Sequence, residues 1–430
     1  YTALIKPSDM PDSNEERLKV CKALKIDETI LNSLSPRSKP LMIETDKEGS
    51  DEILKMNTDW VSILYSLNRY DDGTLAKHII GYLNKRDKVG QAGLEKAYED
   101  VLRDNTVFEI GTITDAAKSP LKGLGYRLKN WSSGKKAHVK LTIDYHIQKI
   151  VEDVMDKNNV SGAIVVEDVV TGDVLAMASK PDFDQNAVEN YLNSSGKELF
   201  NKATAAYNLG SVFKIIDTAA FFENEDEILE MHPEMVPGFG NYICNGSVNI
   251  NGLIFKCSSY LNGGHGELSM EQAFASSCNS YFIELCLKTG YKNLVEMAQK
   301  FGLGTETGIS HQGISEAAGS LPKLDGYYSQ ADIANLSIGQ GVLLATPLQV
   351  ANIVATVANG GIKNRINLVD SIVDENGRVI EKIRVDEGQR IISRSTAEKI
   401  KEMMEAVTLY GTGTDAGLEY FGGSGGKTGS

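Results

Sequence analysis

The run Val212-Phe-Lys-Ile-Ile-Asp-Thr-Ala-Ala-Phe-Phe222 is the feature that most limits how this chain can fold. Its apolar residues surround the helix rather than striping one face, so it reads as a helix buried in a core. It nevertheless carries Lys214 and Asp217, and an unpaired carboxylate is costly to bury. Gly210-Ser211 stands directly before it. A serine three residues before a lysine can share its helix face, so the amine can hold the hydroxyl and take its proton. The free N–H groups of the helix N-terminus favour developing negative charge, and burial lowers the lysine pKa towards that of a base. The plainer alternative is a serine capping a core helix beside a snorkelling lysine.

Spacing alone does not single out Ser211, because Ser-x-x-Lys also begins at Ser119, Ser132, Ser133, Ser194, Ser320 and Ser424. Proline lies inside the copies at Ser119 and Ser320. The other four sit in polar stretches with glycine inside or at the edge. A second element, Ser277-Cys278-Asn279, falls between helical segments at 268–276 and 281–289, where a hydroxyl and an amide can project together. A simple helix N-cap is its alternative. The third, Lys427-Thr428-Gly429, lies in an extended glycine-rich run that lets a ligand approach the backbone. Lys288-Thr289-Gly290 is a decoy: its glycine falls just past a helix and needs no function.

With 44 Lys+Arg against 58 Asp+Glu the net charge is −14, which repels phosphate backbones and excludes nucleic acid as a partner. An apolar content of 41% is that of a globular chain, and 430 residues suggest two domains. Residues 1–135 are charged and irregular, with helices near 15–24 and 93–102. The polar stretch Trp131-Ser-Ser-Gly-Lys-Lys136 reads as the boundary. Beyond it, His138–Asp144 alternates as a strand and Tyr145–Lys157 reads as an amphipathic helix. Hairpins turn at Thr171-Gly172 and Asp374-Glu-Asn-Gly377. Thr346-Pro-Leu-Gln349 is a capping box, and Ser395-Thr-Ala-Glu398 is expected to open another helix in the same way. Strand pairs separated by helical blocks indicate an antiparallel sheet with helices on its faces, an α+β or mixed α/β domain.

Taken in order, Ser-x-x-Lys at 211, Ser-x-Asn at 277 and Lys-Thr-Gly at 427 resemble the class B penicillin-binding proteins, the peptidoglycan DD-transpeptidases. Leu141-Thr-Ile-Asp, Thr171-Gly-Asp-Val-Leu-Ala-Met-Ala-Ser-Lys-Pro, Gly264-His-Gly, Ile338-Gly-Gln-Gly and Thr346-Pro-Leu-Gln follow in that family's order. Gly73-Thr-Leu-Ala-Lys-His-Ile-Ile-Gly-Tyr and Gly93-Leu-Glu-Lys look like its pedestal. The resemblance implies the penicillin-binding transpeptidase fold, a central antiparallel sheet flanked by helices, over 136–430. A non-catalytic, dimerisation-type pedestal over 1–135 would precede it. It implies Ser211 as nucleophile towards a D-Ala-D-Ala stem peptide or a β-lactam, with Lys214 as general base. Ser277 and Asn279 would relay protons and hold the substrate amide, and Lys427, Thr428, Gly429 and Ser430 would line the carboxylate end. No cofactor is needed for this chemistry.

The same resemblance implies a membrane glycosyltransferase partner and a place on the extracytoplasmic face of the bacterial membrane. No apolar run reaches about 18 residues, and the chain lacks an initiator Met, so an N-terminal anchor is expected to be missing from it. The family's domain continues past Lys-Thr-Gly, so the sheet is expected to be unfinished at Ser430, where the family usually has Thr. The resemblance points towards a Gram-positive, sporulation- or cell-shape-related type, while the sequence does not decide among elongation, division and spore-cortex roles. A serine β-lactamase is the nearest alternative, but the deacylating motif Glu189-Asn-Tyr-Leu-Asn193 precedes Ser211 instead of following Ser277. A β-lactam sensor would need neither the pedestal nor Asn279.

Four of five cysteines crowd between 244 and 286. Cys244, Cys257 and His265, in turn-rich sequence, are a soft donor set suited to Zn²⁺. Asp217 is the expected fourth ligand of a structural zinc tying the Ser211 helix to the segment before Ser277. A Cys244–Cys257 disulfide is the alternative. Cys278, Cys286 and Cys21 read as small packed residues.

Overall fold

The computed structural model describes residues 1–65, 69–71, 73–84, 88–103, 106–112, 126–132, 137–383, 386–416 and 418–430, with 106–112 and 126–132 by their backbone. The Ser-x-x-Lys copies at Ser119 and Ser133, and residues 133–136 of the expected boundary, lie outside these. The chain divides into two compact units: residues 1–73 with 103–136, and residues 74–102 with 137–430. Residues 74–102 therefore belong to the larger unit, not to the 1–135 segment expected from sequence.

In the smaller unit, Thr2–Ile5 is the middle strand of three, paired antiparallel with Leu41–Glu44 and Val61–Leu64. Helices Asn14–Ala23 and Lys47–Met56 cover it, and Ala3, Ile5, Val20, Leu31, Ile53 and Trp60 form its own core. Cys21 is packed there, 4% exposed. Thr106–Thr112 and Tyr126–Ser132 pair as a hairpin.

Residues 74–102 join the larger unit because their apolar side chains are spent there: Ile79 and Leu94 are buried with Val174, Met177, Ile309 and Leu348. Polar contacts fix the same segment. The Ala76 N–H donates to Glu152 Oε1 at 2.7 Å, and Lys77 pairs with Asp182 at 3.2 Å.

The larger unit is mixed α/β. Ala137–Leu141 pairs antiparallel with Val369–Asp374, which pairs with Val379–Lys382 around the Asp374–Gly377 turn. The hairpin Gly162–Glu167/Val174–Lys180 meets this sheet through Val174 N–H to Asn367 O at 2.8 Å and Thr142 Oγ1 to Val174 O at 2.8 Å. Helix Tyr145–Lys157 packs on the hairpin, its Asp144 cap accepting from the N–H groups of His146 and Ile147. Pro347–Ala358 opens with the expected Thr346/Gln349 capping box. Arg394–Leu409 is instead capped by Ser393, whose hydroxyl accepts from Thr396 N–H. Both Ser393 and Ser395 satisfy the residue preference, and only the backbone path selects between them.

The centre of this unit is the helix expected from the apolar run. Gly210–Phe213 forms one 3₁₀ turn and Lys214–Glu223 continues as α-helix. Phe213, Ile215, Ile216, Ala219, Ala220 and Phe221 have no exposed surface. Asn279–Thr289, Tyr291–Lys300 and Arg394–Leu409 surround it. Burying each large side chain contributes roughly 1.5–3 kcal/mol, so the helix is held by packing on all sides rather than by propensity. That rigidity positions the residues at its N-terminal end.

Candidate active site

Ser211 sits in the 3₁₀ turn at the mouth of this helix, 9% exposed, while Lys214 is fully buried. The Lys214 ammonium is the hub. Nζ lies 3.2 Å from Ser211 Oγ, 2.7 Å from Ser277 O, 3.2 Å from Ser277 Oγ and 2.8 Å from Asn279 Oδ1. Its ring neighbour is Phe282, whose centroid is 5.5 Å away. Burial pulls the amine down to about 8, against the opposing pull of Asp217 and the cysteines. At neutral pH about one molecule in ten then carries it uncharged, poised to accept a proton from a hydroxyl.

Ser277 reaches this hub through a strained turn. Met270–Ala275 ends and Asn279–Thr289 begins within four residues, and the link is made with Ser277 at φ +56°, a left-handed conformation unusual for a non-glycine residue. The Asn279 amide is anchored by Nδ2 donating to Lys256 O at 3.1 Å.

Lys427 completes the cluster from the third element: its Nζ donates to Ser277 Oγ at 2.8 Å and to Thr428 O at 3.2 Å. Burial first, then the repulsion of Lys214, brings its amine down to about 7. Ser277 Oγ thus lies between two lysines, at 3.2 and 2.8 Å. A reacting group there meets a hydroxyl nucleophile, a proton acceptor and a second cation.

Glycines bring the backbones together. Gly210, at φ +58°, lies so close to the end of the third element that a Cβ would meet Ser430 O at 2.4 Å. A Cβ on Gly339, at φ +69°, would stand 2.0 Å from Gly210 O, and Gly210 N–H donates to Gly339 O at 3.0 Å. The Ile338-Gly-Gln-Gly run is therefore the floor under the Ser211 turn, a role not visible from the sequence alone.

The competing motifs are spent elsewhere. The hydroxyls of Ser194 and Ser320 donate to Glu198 and Val342, and Gly290 ends the helix at Lys288-Thr289, whereas the copy at Ser424 lends its lysine, Lys427, to the site itself.

Among the cysteines, one expected zinc ligand is replaced by another. Cys244, Cys257 and His265 do converge, and the fourth donor beside them is Cys278. The ligand atoms lie within 4.8 Å of one another, with Cys244 Sγ and Cys257 Sγ each 3.5 Å from His265 Nδ1 and the Cys257 and Cys278 sulfurs 3.6 Å apart. Asp217 is not among them. It faces Cys286, which lies eight residues, about 12 Å of helix rise, below Cys278. Completely buried, with neither oxygen hydrogen-bonded to a conventional partner among the described residues, Asp217 has its carboxyl pushed far above the ordinary range by desolvation. All five cysteines are free thiols, so Cys244 and Cys257 are not joined. Cys278, read from sequence as packing only, belongs to the cluster because it precedes Asn279 at the helix start. Its presence among the crowded cysteines was the available signal.

A tetrahedral zinc with Zn–S near 2.3 Å and Zn–N near 2.0 Å requires ligand–ligand edges of about 3.5–3.8 Å, which the two sulfur–nitrogen separations and the Cys257–Cys278 separation match. The hydrogen bond shared by the Cys257 and Cys278 sulfurs holds the Cys257 thiol below the ordinary thiol range, with help from the N–H groups of Ser280 and Asn279 and from His265, against burial. A metal binds the thiolate, so a thiol held low in this way suits a ligand.

A mixed α/β domain thus gathers Ser211, Lys214, Ser277, Asn279 and Lys427 at one point. Residues 162–430 match the penicillin binding protein transpeptidase domain, and the chain belongs to that family. It is 31% identical over 373 residues to the penicillin-binding protein PbpB of Mycolicibacterium smegmatis, covering 82% of this chain and 53% of that protein. To the stage V sporulation protein D of Bacillus subtilis it is 28% identical over 375 residues, covering 85% and 54%. The crystal structure of penicillin binding protein 3 from Mycobacterium tuberculosis complexed with aztreonam superposes with a TM-score of 0.62 at 30% identity, covering 81% of this chain and 72% of that one. The chain spans about half the length of the curated relatives it matches.

Proposed function

We propose that this chain is a serine DD-transpeptidase that cross-links peptidoglycan stem peptides through an acyl-enzyme on Ser211 and is acylated by β-lactams at the same residue. The observation that carries this reading is the single Lys214 Nζ held against Ser211 Oγ, Ser277 Oγ and Asn279 Oδ1, with Lys427 on the far side of Ser277. Lys214 takes the Ser211 proton as Oγ attacks the carbonyl of the penultimate D-Ala. The C–N bond to the terminal D-Ala breaks, and Ser277 passes the proton to the departing amine. An acceptor amine then displaces Ser211 and returns its proton to the hydroxyl. The N–H groups of Ser211 and Ser430 stabilise the oxyanion, a contribution of roughly 3 kcal/mol per donor, while Lys427, Thr428 and Gly429 bind the terminal carboxylate.

The reading extends to the rest of the protein. The smaller unit, with its separate core, serves as a non-catalytic pedestal. The protein works with a membrane glycosyltransferase on the extracytoplasmic side of the bacterial membrane. Among the described residues no helix is long and apolar enough to cross a membrane. Catalysis requires no cofactor. Cys244, Cys257, His265 and Cys278 would hold a structural Zn²⁺, which would supply rigidity to the turn bearing Ser277 and Asn279.

Mass spectrometry after incubation with a fluorescent penicillin tests the central reading. One adduct on the wild type and none on Ser211→Ala is expected. An adduct surviving that substitution would overturn it. Rapid release of hydrolysed penicillin would favour a β-lactamase, and acylation without turnover of a stem-peptide mimic a sensor. Metal analysis after dialysis against a weak chelator tests the zinc site, which fails below about half an equivalent.

A further inference from the structure

Thr412, outside all three motifs, stands at the junction of two of them. Its Oγ1 lies 2.7 Å from Thr428 Oγ1, and its backbone N–H donates to Ala275 O at 3.0 Å, two residues before Ser277. The residue before it, Gly411, presses on the same carbonyl so closely that a Cβ there would meet Ala275 O at 2.4 Å. The loop is pinned on its other side as well, since Gly413 N–H donates to Val407 O at 2.9 Å and Thr408 Oγ1 to Ser424 O. One residue therefore links the Ser277 turn to the Lys427-Thr428 run. Both threonine side chains remain open to solvent.

We propose that Thr412 is a positioning residue for the carboxylate-binding end of the site, holding the Thr428 hydroxyl so that it donates to the ligand carboxylate. A carboxylate only accepts hydrogen bonds, and a hydroxyl has one proton to give. Of two hydroxyls 2.7 Å apart, one spends its proton on the other and the second keeps its proton free. When a carboxylate arrives beside Lys427, the favoured order is Thr412 to Thr428 to carboxylate, because the last bond is charge-assisted and the first then strengthens it. Without the Thr412 hydroxyl, Thr428 Oγ1 is free to rotate. The proposal rests on the transpeptidase reading above.

The test compares Thr412→Val and Thr412→Ser with the wild type, using benzylpenicillin and its carboxyl methyl ester, and reads the second-order acylation rate by intact-protein mass spectrometry. Thr412→Val should slow acylation by the free acid about three- to tenfold, the worth of one hydrogen bond between neutral groups. It should leave the much slower reaction of the ester unchanged, and Thr412→Ser should restore the rate with the acid. Equal slowing of acid and ester would make Thr412 a merely structural residue and overturn the proposal, as would an unchanged rate with the acid. If wild-type protein is acylated by neither compound, the transpeptidase reading itself fails, and the positioning role falls with it.

Discussion

Replacing Lys214 with methionine separates two consequences of burying an amine at the centre of this fold. The charged form of a lysine titrating at about 8 in the folded protein and 10.5 in the unfolded chain is disfavoured by about 3 kcal/mol. Below pH 8 both states are protonated and the penalty is fully present. From pH 8 to 10.5 the unfolded chain holds more protons than the native one, so stability rises with pH by up to about 1.4 kcal/mol per pH unit. Methionine fills a similar volume without charge. Its benefit at pH 7 is offset by Ser277 O and Asn279 Oδ1, which lose their donor at about 1–2 kcal/mol each. The variant should therefore lie within about 2 kcal/mol of the wild type at pH 7, while β-lactam acylation falls by 10²- to 10⁴-fold, the usual worth of a general base. Urea unfolding followed by far-ultraviolet circular dichroism reads the stability, since both tryptophans lie in the smaller unit. Other titrating groups cancel in the difference between the two proteins, and between pH 7 and 10 the wild type should gain about 2.5 kcal/mol on the variant. Parallel stability curves would refute the burial argument, and undiminished acylation would remove Lys214 from the mechanism.

Three other outcomes follow from the same geometry. Gly339→Ala should destabilise by about 2 kcal/mol or more and slow acylation at least tenfold, because its Cβ would displace Gly210. Gly252→Ala, at φ +92° with open space around it, should cost only the backbone strain of about 1–2 kcal/mol and spare acylation. Acylation should follow a bell in pH, with limbs near 7 and 8 belonging to the Lys427 and Lys214 pair and a maximum near 7.5, where only about 6% of molecules hold the productive protonation state. Lys427→Arg, charged at every pH, should remove the falling limb if it still binds the carboxylate. Finally, burial raises Glu167 to about 7 although Asn352 donates to it, so its folded form loses stability as pH climbs from 4.5 to 7. Glu167→Gln should flatten that decline, and a thermal-melt series across this range would show it unchanged if the carboxylate is already solvated.

Much of the site was legible because its signals are local. The apolar run around Lys214 set the buried helix, Gly210 and that run distinguished Ser211 from six other Ser-x-x-Lys copies, and the order of three short motifs carried the family. The metal cluster was half legible. Cys244, Cys257 and His265 share one turn-rich segment, whereas choosing Cys278 over Asp217 required knowing that two helices run side by side. Spacing along one chain does not contain that fact. Residues 74–102 were misplaced for a related reason, since which core receives Ile79 and Leu94 depends on a surface hundreds of residues away in part.

By itself, then, the sequence determined which side chains could do chemistry, through periodicity and neighbouring residue type, both properties of a few consecutive residues. The tertiary structure decided which of them meet. It brought Ser277 Oγ between two lysines, set Gly339 under Gly210, put Thr412 against Thr428 and left Asp217 facing Cys286. Those contacts join residues far apart in the chain, and close packing of complete elements, rather than local preference, fixes them.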